Sequence, residues 1–427
     1  MKTRLLLGLL SASMLLPLAG GAYAAGYGGT SYRVIDLGDP AGGPVSQGNT
    51  NNQPGWVAGW SLQSDSTMQA ELWAHGSALS LGTLGSAALN SAVAWPNRND
   101  HGVVVGISET NELQPLGESW SCFLAVFFVA DGHVCRGFVW RDGRMSPLPT
   151  LGGDNGFATG VNNRGEIVGW AENRTHDPTC DEFTNTGQVL QFEAVMWVPG
   201  GEVGGAGTDS DYRAIELSPY PGDLDGAATA INQWGDAVGI SGICDGAIGG
   251  GTAEHMVMWR HGQAARELPT LGGAYWNTPM DINDRGNVAG FSDLPGDGPT
   301  IAQANFQAFF WSTHPYLCNG ATLPGGGTCN LGALGPNLIS QALGVNNLDQ
   351  VVGVSQVVIG SSLQNHAFIW QNGRMADLND LVAPGTTLTL TIAQDINDRG
   401  EITGQATTPS GATVAFEAVP VSVTATP

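Results

Sequence analysis

The chain has 427 residues, a formal net charge of −23 and a pI of about 4.4. An acidic surface disfavours nucleic acid and anionic membrane as partners, since both are bound by clustered cations. Lys2 is the only lysine, so nothing beyond the N-terminus can supply a Schiff-base or phosphate-loop lysine.

Lys2 and Arg4 precede a short apolar run, Leu5 to Leu18, and Ala22-Tyr23-Ala24 follows as a small-residue cleavage site. Residues 1–24 therefore read as a secretory signal peptide. No later stretch is apolar for long enough to span a bilayer. The remainder reads as one domain, 25–420, with a short tail, 421–427. The expected location is extracellular or periplasmic, and the expected state is a monomer.

A repeat organises the rest. Its first mark is Asn-x-x-Gly followed by alternating apolar residues and a second Gly, as in Asn52-Gln-Pro-Gly55-Trp-Val-Ala-Gly59. It recurs from Asn99, Asn162, Asn232, Asn283, Asn346 and Asn397; the copy at Asn346 carries Asp349 in place of Gly, a residue that tolerates turn geometry. The second mark is an apolar strand ending at Trp73, Trp140, Trp197, Trp259, Trp311 and Trp370, with Phe416 in the seventh copy. The third is a strand ending in Leu-Gly, as in Leu148-Pro-Thr-Leu-Gly-Gly153 and Leu268-Pro-Thr-Leu-Gly-Gly273.

The seventh copy lacks this last strand, while an extra one, Tyr32-Arg-Val-Ile-Asp-Leu-Gly38, precedes the first Asn turn. That displacement is what a closed ring requires, because an N-terminal strand can complete the last blade; an open solenoid has no use for it. The reading is all-β: a seven-bladed β-propeller of four-stranded antiparallel blades, closed by the N-terminal strand.

Six cysteines follow the leader: Cys122, Cys135, Cys180, Cys244, Cys318 and Cys329. An even count in an exported chain reads as disulfides. Local spacing favours Cys122–Cys135 and Cys318–Cys329, which leaves Cys180–Cys244.

The segment His366-Ala-Phe-Ile-Trp-Gln-Asn-Gly-Arg-Met-Ala-Asp-Leu378, taken with the Asn-x-x-Gly hairpins, resembles the HAF family of extracellular repeat proteins. The resemblance covers about Tyr32 to Pro420. It implies secretion and a propeller-like fold, and implies no catalytic residues. Some members carry a C-terminal sorting tail; Ala418 to Pro427 has neither an apolar span nor a terminal Arg cluster, so sorting does not carry over.

Four residues before each Trp stand Gln69, Arg136, Glu193, His255, Gln307 and His366. A position that is polar but chemically inconstant reads as an exposed strand end, and the Trp series reads as packing between blades. No G-x-S-x-G, H-E-x-x-H, Walker A or strand-linked G-x-G-x-x-G occurs. Asn173-Arg-Thr175 fits a glycosylation sequon but reads as a polar loop. Asp209 and Asp211, Asp223 and Asp225, and Asp293 and Asp297 lie in Gly- or Pro-rich loops, where carboxylates can bind calcium; none completes an EF-hand spacing, and solvated turn aspartates are the plainer reading.

The connections between second and third strands vary in length, the longest being 109–135, 171–193 and 292–306; another long insertion, 312–329, follows a third strand. Phe123 to Val129 is apolar and reads as an added strand. Unequal loops on a rigid scaffold suit binding. The expected function is a non-enzymatic scaffold for an extracellular protein or glycan. The alternatives are a glycan hydrolase or lyase using carboxylates or histidines near the axial channel, with or without calcium, and a structural surface component.

Overall fold

The computed structural model describes residues 30–38, 43–96, 99–118, 122, 127, 132–182, 187–200, 212–244, 253–300 and 303–422. The proposed leader, most of the tail, Asp209, Asp211 and all of the 123–129 segment except Phe127 lie outside them. The last strand runs to Ser422, two residues past the expected domain end.

Seven four-stranded antiparallel sheets surround a central axis. Blade 1 begins at Ser46, blade 2 at Ser91, blade 3 at Gly156, blade 4 at Asp225, blade 5 at Asn277, blade 6 at Ser340 and blade 7 at Thr389. Blade 7 takes its fourth strand, Thr30–Asp36, from the start of the chain; it pairs antiparallel with Thr413–Ser422 from Thr30↔Ser422 to Asp36↔Phe416. Tyr32 on this strand is 3% exposed and belongs to the hydrophobic core of blade 7 together with Leu381 and Phe416, so closure is made by side-chain burial as well as by the ladder. Among the described residues no helix is long and apolar enough to cross a membrane.

The Asn-x-x-Gly pattern makes the hairpin between the first, axial strand and the second. The turn glycines, Gly165 (φ +74°) among them, occupy left-handed backbone, and Asp349 takes the same conformation at φ +60°. The second glycine of the pattern has a separate cause. A Cβ on Gly169 would stand 1.9 Å from the carbonyl oxygen of Phe157, and the equivalents Gly59, Gly106, Gly239, Gly290, Gly353 and Gly404 meet a first-strand carbonyl in the same way. In six blades the first strand bulges at this level, setting Asn49, Thr159, Thr229, Met280, Leu343 and Gln394 out of the ladder.

The turn asparagines do more than shape hairpins. Each Oδ1 accepts backbone N–H groups of its own turn, as Asn232 does from Trp234 and Asp236, both at 3.0 Å. Each Nδ2 then donates to the backbone carbonyl of the next blade's turn Asn: Asn52 to Asn99, Asn99 to Asn162, Asn162 to Asn232, Asn232 to Asn283, Asn283 to Asn346, Asn346 to Asn397 and Asn397 back to Asn52, at 2.8–3.2 Å. The result is a closed, buried ring of amides. Asn232→Ala leaves the turn amides and the Asn283 carbonyl without their partners and is expected to cost about 3 kcal/mol in denaturant unfolding. Asn232→Asp keeps the acceptor but sets a carboxylate against that carbonyl, so a near-neutral Asn232→Asp is the result that contradicts the ring.

The six tryptophans are buried at blade seams, as their repetition predicts. Trp197 and Trp259 donate from Nε1 to the Pro149 and Ser218 carbonyls of the preceding blade, at 2.7 and 2.8 Å. The Leu-Gly mark is displaced from the expectation. In blades 2 and 4 the fourth strands, Arg144–Pro147 and Arg266–Glu267, end before Leu148 and Leu268. These leucines are buried anchors where the chain leaves one blade for the next, each with its N–H on a third-strand carbonyl.

All three disulfides pair as expected, Cys122–Cys135 and Cys318–Cys329 by local spacing and Cys180–Cys244 as the remaining pair. Cys180–Cys244 ties the long blade 3 insertion to blade 4.

Candidate functional site

The axis has two chemically different ends. On the turn side, the residue after each turn Asn faces its counterparts: Gln53, Asp100, Asn163, Gln233, Asp284, Asn347 and Asp398 enclose a space of about 90 Å³ with Asn51, Asn52 and Asn397. Six backbone N–H groups of this layer donate to the next blade's side chain, from Gln53 N on Asp100 Oδ1 to Asn347 N on Asp398 Oδ1. The remaining carboxylate oxygens are also engaged: Asn163 Nδ2 donates to Asp100, and Asn347 Nδ2 to both Asp284 and Asp398. This layer therefore has three carboxylates near the axis, all committed to holding neighbouring turns. It was legible in the sequence as an unbroken polar series directly after the turn Asn, a signal hidden by reading the turn only for its geometry.

Towards the opposite face, where the second-to-third-strand insertions project, lies a cavity of about 300 Å³. Most of its wall comes from residues five and three places before the turn asparagines, the latter being the bulge residues, joined by Trp95 and by Ile240, Phe291 and Val354 of the second strands. Trp95, Met280, Phe291, Leu343 and Ile392 give it an apolar surface; Thr229, Thr278, Gln341 and Gln394 supply uncharged polar groups. No titratable side chain lines it.

Of the predicted acidic pairs, Asp209 and Asp211 lie outside the described residues, and the carboxylates of the other two are engaged by protein groups. Asp223 accepts from Ser241 Oγ at 2.6 Å and lies 2.8 Å from His255 Nδ1, with Tyr220 stacked on that imidazole. Asp225 turns the other way and is fully buried, accepting from Phe192 N and Gln188 Nε2. Its carboxyl is pushed up to about 9 by burial and by the adjacent Asp177. Asp297 accepts from Leu294 N and Asn305 N within its own loop; Asp293 accepts from Tyr275 N, and burial raises it. Among the described residues, a three-ligand group of His, Cys, Asp or Glu occurs as Glu109, Cys122 and Cys135, whose sulfurs form a disulfide.

The polar position before each Trp departs from the expectation of exposed strand ends. Gln69, Glu193 and Gln307 are buried, and Arg136, His255 and His366 partly so. The third strand here passes beneath the crossover to the next blade, whose carbonyls need donors: Gln69 Nε2 donates to Leu89 O and Gln307 Nε2 to Leu338 O, both at 2.8 Å. His366 Nδ1 is 2.6 Å from Asp377 Oδ2. Glu193 is pushed up to about 8 by burial and by Glu216. Asn173-Arg-Thr175 lies in strand Ile167–His176, with Arg174 and Thr175 exposed, rather than in a loop. Phe127 is buried beside Trp60, Leu62 and Trp95.

The insertion face also exposes apolar side chains. Leu113 and Leu116 stand out from the blade 2 insertion. Val358 and Leu363, a cross-strand pair at the tip of the long blade 6 hairpin, are each 60% exposed.

No family model matches the chain, and no curated protein matches it in sequence. Three solved structures are similar in shape at low identity. A Dyadobacter fermentans protein of unknown function is 13% identical with a TM-score of 0.37, covering 79% of this chain and 96% of its own. A Mycobacterium tuberculosis puromycin-hydrolyzing peptidase is 11% identical with a TM-score of 0.41; 92% of this chain matches 55% of it. A Trypanosoma rangeli sialidase solved with the inhibitor DANA is 9% identical with a TM-score of 0.35; 91% of this chain matches 59% of it.

Proposed function

We propose that this chain is an exported binding scaffold of the HAF-repeat type, acting without catalysis outside the cytoplasm, in the periplasm or the medium. Its partner is an extracellular protein or glycan met by the insertion face. The observation that carries this reading is the set of apolar tips exposed on that face, Leu113, Leu116, Val358, Ile359 and Leu363, on an otherwise strongly acidic chain. Apolar side chains held in water by a rigid hairpin gain free energy when a partner covers them. Three disulfides fit an oxidising compartment and stiffen two of the insertions. The axial carboxylates are occupied by neighbouring turns, and so offer little support to hydrolysis.

The test is an array of glycans and extracellular proteins probed with the full chain and with a Val358→Asp/Leu363→Asp variant, alongside assays for release of reducing ends and for ester and peptide hydrolysis. A partner is expected that the variant binds at least about tenfold more weakly, since losing apolar contact and burying charge both oppose the complex. Turnover of any substrate in the panel, or equal binding by the variant, ends this reading.

A further inference from the structure

We propose that the axial cavity is a binding site for an uncharged small molecule with an apolar or aromatic body and one hydroxyl or carbonyl group. The inference is independent of which partner meets the insertion face. The volume, about 300 Å³, stands at the lower end of small-molecule sites. The wall offers flat and flexible apolar surface, Trp95 and Phe291 beside Met280 and Leu343.

Thr278 supplies the polar requirement. It is 3% exposed, and its hydroxyl oxygen is fully buried with no hydrogen-bond partner, the one serine or threonine hydroxyl so left among the described residues. The same scaffold satisfies its structural hydroxyls. Thr159 Oγ1 donates to Ala228 O, and Thr229 Oγ1 to Pro279 O across the next blade seam. A buried hydroxyl without a partner is costly, and a ligand oxygen that parts the wall enough to reach it removes that cost. Gln341 and Gln394, both half-buried, offer further amide donors and acceptors to the same space.

The absence of any titratable group from the lining sets the ligand's charge. An ion entering the cavity loses its hydration and finds no counter-charge. An anion is opposed further by the chain's net charge of −23. Part of the wall is pre-formed: four of the lining positions, Thr229, Met280, Leu343 and Gln394, are residues set out by strand bulges in blades whose second strands pack Gly239, Gly290, Gly353 and Gly404 against first-strand carbonyls.

The test uses the full chain and three probes, 2-naphthalenemethanol, naphthalene and 2-naphthoate, read by calorimetry and by quenching of tryptophan fluorescence. The alcohol is expected to bind saturably at one site, with 2-naphthoate at least about tenfold weaker. Thr278→Val, close to isosteric, is expected to weaken the alcohol about tenfold and leave naphthalene unchanged. Leu343→Phe, which fills the cavity, weakens both; Val358→Asp/Leu363→Asp changes neither. The proposal is overturned if the wild-type chain shows no saturable binding of the alcohol, if 2-naphthoate binds as tightly, or if a cooperatively folding Thr278→Val binds the alcohol as the wild type does.

Discussion

A chain that starts at Gly38 is expected to lose at least about 5 kcal/mol of stability, or to fail to fold as a cooperative unit, compared with one that starts at Ala25. The strand Thr30–Asp36 is the outer edge of blade 7, and its removal leaves Thr413–Ser422 as an unpaired edge. It also removes Tyr32 from the core cluster of blade 7 that includes Leu381 and Phe416. Loss of a buried aromatic costs about 3–5 kcal/mol by itself, and each lost ladder bond adds about 1 kcal/mol. Tyr32→Ala isolates the first contribution, with about 3 kcal/mol expected. Urea unfolding followed by tryptophan fluorescence measures both, and a synthetic peptide spanning residues 30–38 is expected to rescue the truncated chain when added in trans. A truncated chain that unfolds within about 1 kcal/mol of the longer one shows that the ring is held by its blade seams and not by this strand.

Stability is expected to fall as pH rises from 5 to 8, the reverse of the usual behaviour of a carboxylate-rich protein. Asp225 is the leading cause. Its folded-state carboxyl is raised from an ordinary value of 3.8 to about 9, so the native chain keeps a proton that the unfolded chain releases. Between those two values unfolding releases a proton, and each unit of pH favours the unfolded chain by up to about 1.4 kcal/mol for this group. Glu193, raised to about 8, adds to the slope, as does Glu172, raised by burial and by Glu118. The stabilising contribution of all three is complete below pH 4 and lost as pH passes up through their folded values. Asp225→Asn keeps an acceptor for Phe192 N and can donate towards Asp177, so it is expected to flatten the slope and leave stability at pH 5 little changed. Urea midpoints at pH 5, 6.5 and 8 for both chains decide the matter; equal slopes place the proton elsewhere.

The repeat specifies the architecture because each of its parts has a local physical cause. Asn-x-x-Gly is a hairpin turn wherever it occurs, alternating apolar residues make strands, and a strand missing from the last copy but present before the first can be balanced only by a ring. The same local logic carried the disulfides, whose partners lie close in sequence or remain by elimination. It also carried the buried tryptophans, since equivalent positions in a repeat meet equivalent surroundings.

What the chain alone did not reveal are properties that arise only when blades stand side by side. The turn Asn gives no sign that its amide reaches the next blade. The second glycine gives no sign that a first-strand carbonyl lies 1.9 Å from where its Cβ would be. The position before each Trp looked solvent-facing because its residues are polar, yet Gln69 and Gln307 are buried beneath crossovers. Asp223 and Asp225 stand two apart in sequence, but Asp223 closes the turn before the strand that begins at Asp225, and the two carboxylates meet different partners. The axial cavity is likewise invisible along the chain, for its walls are a few residues contributed by each of several blades, and nothing in the sequence marks Thr278 as the buried hydroxyl without a partner. Sequence determined the repeat, the ring and its staples; tertiary structure decided which polar groups are spent on the seams and which remain for a ligand, because that depends on distances between segments far apart in the chain.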